Sequence, residues 1–187
     1  NITPAQLTAS VTAPNKAYDG TVTASPTLRI TSGLVGSETL EIASTASFNS
    51  KNVATANLVT VNTASLADGN KGGLASNYSL SPGQTVAANI TPAPLAAAVT
   101  APNKVYDGTL TATPTLTITS GLVGAETLTV AGTASFNTKN VATANLVTVE
   151  TASLTDGSNG GLASNYSLST GQTVAANITP AQLSASV

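Results

Sequence analysis

An internal repeat of 88 residues constrains this chain more than any other feature. Setting residues 1–88 against 89–176 without gaps gives 71 identical positions. Asn15-Lys16-Ala17-Tyr18-Asp19-Gly20 returns as Asn103-Lys104-Val105-Tyr106-Asp107-Gly108, and Asn1-Ile2-Thr3-Pro4-Ala5 returns at Asn89 and again at Asn177. Self-similarity at a fixed period marks a modular array, in which each unit builds its own core. The organisation expected is therefore residues 1–4 as the end of a preceding unit, 5–92 as the first repeat, 93–180 as the second and 181–187 as the start of a third. On this reading the chain is a section of a longer array, and its localisation signals lie outside it.

A unit of this size buries about 60–65% of its unfolded-chain surface, enough for one modest core. That core has to be built from small residues. The chain has no Trp, Met or Cys, and its first unit offers only Tyr18, Phe48 and Tyr78 as aromatics. Val, Ile, Leu and Thr alternate with a period of two along Leu7 to Val11, Thr21 to Ala24, Thr27 to Thr31, Thr39 to Ile42, Leu58 to Val61, Tyr78 to Leu80 and Thr85 to Ile90. Such alternation predicts strands, and the Gly and Pro residues between them predict turns. Ala64 to Asp68 is expected to form at most a short turn. About seven short strands per unit predict an all-β chain of tandem immunoglobulin-like antiparallel β-sandwich repeats. The alternative is a β-grasp-like module with a short helix. The stretch Gly73 to Leu80 resembles the tyrosine corner of immunoglobulin-like domains, with Tyr78 bonding back to the backbone and Leu74 where an acid is usual. The joint between units, Pro92-Ala93, is short and stiffened by proline.

Composition excludes several functions. The formal charge is −2 with 7% charged residues, so no basic face is available for nucleic acid or an anionic membrane. No apolar run reaches transmembrane length. With no His and no Cys, Ser–His and Cys–His catalysis, disulfides and most zinc sites are ruled out. The expectation is a monomeric non-enzyme without cofactor or metal, whose partners are the neighbouring repeats of its own chain.

Several motifs fall in the same order in both units: Lys16-x-Tyr18-Asp19-Gly20-Thr21, Gly36, Ser44-Thr45-Ala46-Ser47-Phe48-x-x-Lys51-Asn52-Val53, Asn77-Tyr78-Ser79-Leu80 and Ile90-Thr91-Pro92-Ala93. Together they resemble the YDG-type repeat of large filamentous-haemagglutinin-like bacterial adhesins. The loop Asp68 to Ala75 departs from that family's usual shorter Gly-Ala-Asp-Ala-Gly run. The resemblance implies an exported protein at the bacterial cell surface or released from it, with the repeats acting as stalk or spacer. A weak multivalent glycan- or matrix-binding module is the alternative.

The residues expected to matter are structural: Lys16, Tyr18, Asp19, Gly20, Phe48, Tyr78 and Pro92, with their counterparts Lys104, Tyr106, Asp107, Gly108, Phe136, Tyr166 and Pro180. Tyr18, Phe48, Tyr78 and Leu80 are assigned to the core, Lys16 and Asp19 to a corner, Gly20 to a turn and Pro92 to the joint. Glu38 and Glu41 form the closest carboxylate pair, but the second unit carries Glu126 and Thr129, so they read as a solvated strand end. Asp68-Gly69-Asn70 and Asp156-Gly157-Ser158 supply one carboxylate each, short of a calcium site. An isopeptide bond would need Lys16 or Lys51, Asn52 and a carboxyl of Asp19 or Glu38 gathered in a buried cluster. Asn77, Asn89, Asn165 and Asn177 fit the glycosylation acceptor triplet. The Thr-rich run from Thr111 to Thr119 reads as ordinary outward strand residues.

Overall fold

A computed structural model describes residues 1–185 and divides them between two compact units, one of residues 1–92 and one beginning at Ala93. The chain is all-β in both. Unit 1 contains β1 (Ala5–Gln6), β2 (Thr8–Thr12), β3 (Lys16–Ala17), β4 (Thr23–Ala24), β5 (Thr27–Ser32), β6 (Leu40–Phe48), β7 (Leu58–Asp68), β8 (Tyr78–Ser79), β9 (Thr85–Ala87) and β10 (Ile90–Thr91). Among the described residues of this unit the helical structure is one 3₁₀ turn, Ala75–Asn77. A β-grasp needs a helix laid across its sheet, and that single turn is too short to provide it.

The main sheet is antiparallel in the order β4-β6-β7-β9, with β6 and β7 forming a long hairpin in register from Leu40↔Asp68 to Phe48↔Val59. A one-residue shift between Thr45 and Ala46 re-aims the inner end of this hairpin, so that Ala46, Phe48, Val59 and Val61 all become buried. β6 and β7 run well beyond the expected limits. Ala64 to Asp68, expected as a turn, is the far half of β7, because β6 from Leu40 to Ser44 supplies a ladder partner for it. Pairing overrides weak local preference here. The hairpin loop is tied by one side chain, Asn49, whose Oδ1 accepts from the N–H groups of Asn57 and Leu58, both at 3.1 Å.

β2 pairs antiparallel with β5. Two further pairings, β1 with β8 and β3 with β10, are parallel and bring residues from the start and end of the unit side by side. The antiparallel pattern expected from the sequence therefore holds for the body of the unit, and these short parallel pairs are an addition to it. A parallel pair needs a long crossover between its strands, so local periodicity carries no signal for it.

Unit 2 follows the same plan with β11 (Ala93–Thr100), β12 (Lys104–Val105), β13 (Thr111–Ala112), β14 (Thr115–Ser120), β15 (Leu128–Phe136), β16 (Leu146–Asp156), β17 (Tyr166–Leu168), β18 (Thr173–Ala175) and β19 (Ile178–Thr179). Its four-stranded sheet is β13-β15-β16-β18. Ala112, Ala134, Phe136, Ala144, Val147, Ala176 and Ile178 form one buried cluster, joined by half-buried Ala101 and Val174. Ala and Val fill most of it, as the composition requires. The single Phe contributes about 1.5–3 kcal/mol by burial.

Candidate functional site

The densest polar arrangement in each unit is built on β3 or β12 and the turn that follows. In unit 1 the Lys16 ammonium donates to both Asp19 carboxylate oxygens at 2.8 and 3.0 Å and to Thr21 Oγ1 at 2.9 Å. Asp19 Oδ1 also accepts the Thr21 N–H and hydroxyl, each at 2.9 Å. This is an Asx-type turn, and Gly20 between the two residues takes φ 79°, which a side chain would oppose. Lys16 Nζ lies 5.8 Å from the centre of the buried Phe48 ring. The corner is fastened to the end of the unit by parallel pairing. Lys16 N–H donates to Asn89 O at 3.2 Å and Tyr18 N–H to Thr91 O at 2.9 Å, while Asn15 Oδ1 accepts the Asn89 N–H at 2.8 Å.

Unit 2 reproduces this. Lys104 pairs with Asp107 at 2.8 Å and also reaches Thr109 Oγ1, Thr109 O and Thr111 O. Its Nζ stands 5.9 Å from the Phe136 ring centre. The bond from Lys104, with those from Thr109, holds the Asp107 carboxyl down at about 2. At Asp19, partial burial pushes the carboxyl up, but the bonds from Lys16 and Thr21 outweigh it and the net shift is downward. The two tyrosines of this motif differ: Tyr18 is 3% exposed and Tyr106 41%. Tyr106 lies with Val141, Pro180, Ala181 and Leu183 around a shallow apolar hollow of about 420 Å³. Gly108 has φ 79° like Gly20. Pro92 and Pro180 are exposed, each directly after a strand.

A second arrangement forms around Tyr78. Its hydroxyl donates to the Glu38 carboxylate and accepts the Val35 N–H at 3.1 Å. In unit 2 Tyr166 donates to Glu126 at 2.6 Å and accepts the Val123 N–H at 3.0 Å. The bond to Glu38 holds the Tyr78 hydroxyl above its ordinary value of 10; at Tyr166 burial contributes most and Glu126 adds to it. Tyr78 therefore does bond backbone, but not as a tyrosine corner, whose hydroxyl returns to backbone a few residues upstream. It spans 43 residues to hold the loop between β5 and β6. Leu80, expected in the core, is half-buried.

The same loop is clasped from its other side by the turn after β7. Thr39 and Asn70 exchange backbone and side-chain bonds, with Asn70 N–H to Thr39 Oγ1 at 2.8 Å. A Cβ on Gly69 or on Gly73 would lie 2.0 Å from the Thr39 carbonyl oxygen, so only glycine fits at either position. Asp68, weighed as a calcium ligand, accepts the Ala75 N–H at 2.7 Å and closes this turn. Among the described residues no three His, Cys, Asp or Glu side chains gather in a metal-binding group. Nor does the isopeptide set assemble as one buried cluster. Lys16 is paired with a half-exposed Asp19, and Glu38 is engaged with Tyr78.

Sequence reasoning missed Glu38 and Asn15. Glu38 is half-buried and bonded rather than the solvated strand end expected of it, because Tyr78 supplies a hydroxyl to its carboxylate. A signal for it existed: Glu38 returns as Glu126, whereas Glu41 becomes Thr129. Hydroxyls, amides and carboxylates are spent on one another across loops.

A family described as the YDG domain matches the chain twice in tandem, over residues 3–86 and 91–174. No curated protein and no solved structure matches it.

Proposed function

Because the chain belongs to the YDG domain family, we propose that it is a spacer section of a large exported bacterial adhesin, acting at the cell surface or after release, where each unit adds a fixed increment of reach to a distal binding region. The observation that carries this reading is what differs between the units. Seventeen of the 88 paired positions differ; in unit 1, 14 of these are exposed, three are half-buried and none is buried. The corner, the tyrosine bond and the glycine contacts are all retained. A module that bound a ligand once per unit and gained avidity by repetition would keep a surface constant. This one keeps every buried residue, and most of its changes fall on exposed positions, Asn70 and Lys71 in the turn after β7 among them. The partners on this reading are neighbouring repeats, and the ligand is engaged elsewhere in the parent protein.

Arrays of increasing unit number, measured by small-angle scattering, test the proposal. Maximum dimension should rise by equal increments with each added unit. A curve that flattens overturns the spacer reading. Saturable binding on a glycan array that grows with unit number supports the multivalent alternative instead.

A further inference from the structure

Each unit has an unclosed flank. β5 pairs with β2 alone, and β6 is covered along one edge by β7 but along the other only by β4, which reaches Ala46 and Ser47. β5 and the outer half of β6, from Leu40 to Thr45, therefore border one cleft with an unpaired backbone edge on each side. The cleft has a volume of about 390 Å³ and is floored by half-buried Leu28, Ile30, Leu40 and Ile42. Unit 2 has the same cleft, of about 410 Å³, between β14 and β15. It is thus a property of the repeat itself. Free edges beside accessible apolar surface are templates for a further strand, and proline is one of the devices that ordinarily blunts them. No proline interrupts Thr27 to Ile30 or Leu40 to Thr45. The rims of the cleft are charged. Arg29, the single arginine of the chain, lies on β5 and Glu41 on β6, and both are exposed. Among the described residues neither side chain has a hydrogen bond or an ion pair within the unit. In unit 2 both positions are threonine, Thr117 and Thr129. Opposite charges that are unpaired within a unit, yet replaced together, point to pairing between molecules.

We propose that this flank of unit 1 is an interface with a second copy of the chain, in which β5 of each copy pairs antiparallel with β6 of the other. The loop 33–39 turns β6 back beside β5, so a two-fold axis along the strands brings both free edges of one copy against both of the other. Placing Arg29 opposite Glu41 sets Leu28 opposite Ile42 and Ile30 opposite Leu40. Because side chains alternate along a strand, the charges then share the outer face and the four apolar residues share the inner one. A one-residue slip would set exposed positions against half-buried ones, so the register is fixed. The interface is isologous, and the Arg29–Glu41 pair forms twice. The same register in unit 2 sets Thr117 opposite Thr129, also a favourable cross-strand pair. Arginine facing threonine is a poorer match, so the rims favour like unit against like. The inference goes beyond the spacer reading, since a module adds length whether or not it pairs sideways.

Charge reversal in the full chain, read by sedimentation velocity over a concentration series, tests this. The parent chain should dimerise with a Kd below about 1 mM. Arg29→Glu and Glu41→Arg each set like charges opposite one another twice, and each should weaken the dimer about tenfold or more. Both positions are exposed and unpartnered within the unit, so the melting temperature of the monomer should not move. Mixed in equal amounts, the two variants offer each other opposite charges at both places, and a heterodimer should form with the affinity of the parent. A chain that is monomeric up to about 1 mM, leaving the flank to a foreign strand, overturns the proposal. So does a dimer indifferent to the reversals, whose contact lies elsewhere. So too do reversals that the mixture does not rescue, because Arg29 and Glu41 then do not face one another.

Discussion

At the corner, Lys16, Asp19 and Thr21 lie within five residues of one another and satisfy each other at the surface. At the Tyr78 latch, one hydroxyl reaches back 40 residues to Glu38 and 43 to Val35, and Gly69 and Gly73 press against the Thr39 carbonyl. The corner is held by charge-assisted bonds that water can replace, standing over a buried ring. The latch is held by shape and by half-buried bonds that water does not reach as easily. Equal motif density in sequence thus hides unequal energetic weight. Exposed ion pairs contribute little, while buried contacts and steric exclusions contribute much.

If this contrast is right, the largest effect at the corner comes from its floor. Phe48→Ala should cost the unit carrying it about 3–5 kcal/mol, seen in the denaturant midpoint, whereas Asp19→Asn should move that midpoint far less. Comparable losses would mean that charge, not the ring, holds the corner. Next, Gly73→Ala forces a methyl onto a carbonyl 2.0 Å away and should cost about 3 kcal/mol; Gly83→Ala, which meets nothing within 4 Å, carries only its backbone strain and should cost less. A similar cost at both would dissolve the steric account. Tyr78→Phe removes the donor to Glu38 and the acceptor for Val35, for about 1–2 kcal/mol, with faster amide exchange at Val35.

Smaller still is the acid response of the corner. The Asp107 carboxyl is held near 2 in the folded unit against an ordinary 3.8. Its contribution is complete above pH 3.8 and disappears as pH falls through about 2. Asp107→Asn should therefore lower stability slightly at neutral pH, and the difference from the parent chain should shrink as pH falls below 3.8 and vanish below about 2. The smallest expected effect is a gain. Lys71 sits at φ 57°, where unit 2 places Asn159 with its amide donating to Ala125 O at 2.9 Å. Lys71→Asn should stabilise unit 1 by about 0.5 kcal/mol in the same midpoint assay.

The all-β class was legible because alternating Val, Leu and Thr carry it locally. So was the Lys16–Asp19–Gly20 turn, whose partners are neighbours in sequence. The length of β6 and β7 was not, because Ala64 to Asp68 becomes strand only through its pairing with Leu40 to Ser44. Tyr78 was recognised as a bonded core tyrosine, but its partner was not, since nothing local links it to a loop 40 residues away. Gly69 and Gly73 read as turn punctuation, when their role is to admit the Thr39 carbonyl.

The parallel pairing of β3 with β10 has a mechanical consequence. One strand lies near the beginning of the unit and the other at its end, and both point the same way. Tension applied through the chain draws them in opposite directions along their length. Their bonds, Lys16 to Asn89 and Tyr18 to Thr91, are then loaded together in shear rather than opened one after another like a zip. Resistance to such pulling is set by the rate of unfolding rather than by equilibrium stability. A unit of ordinary stability, with a core made largely of Ala and Val, can on that footing sustain a load that its stability alone would not suggest.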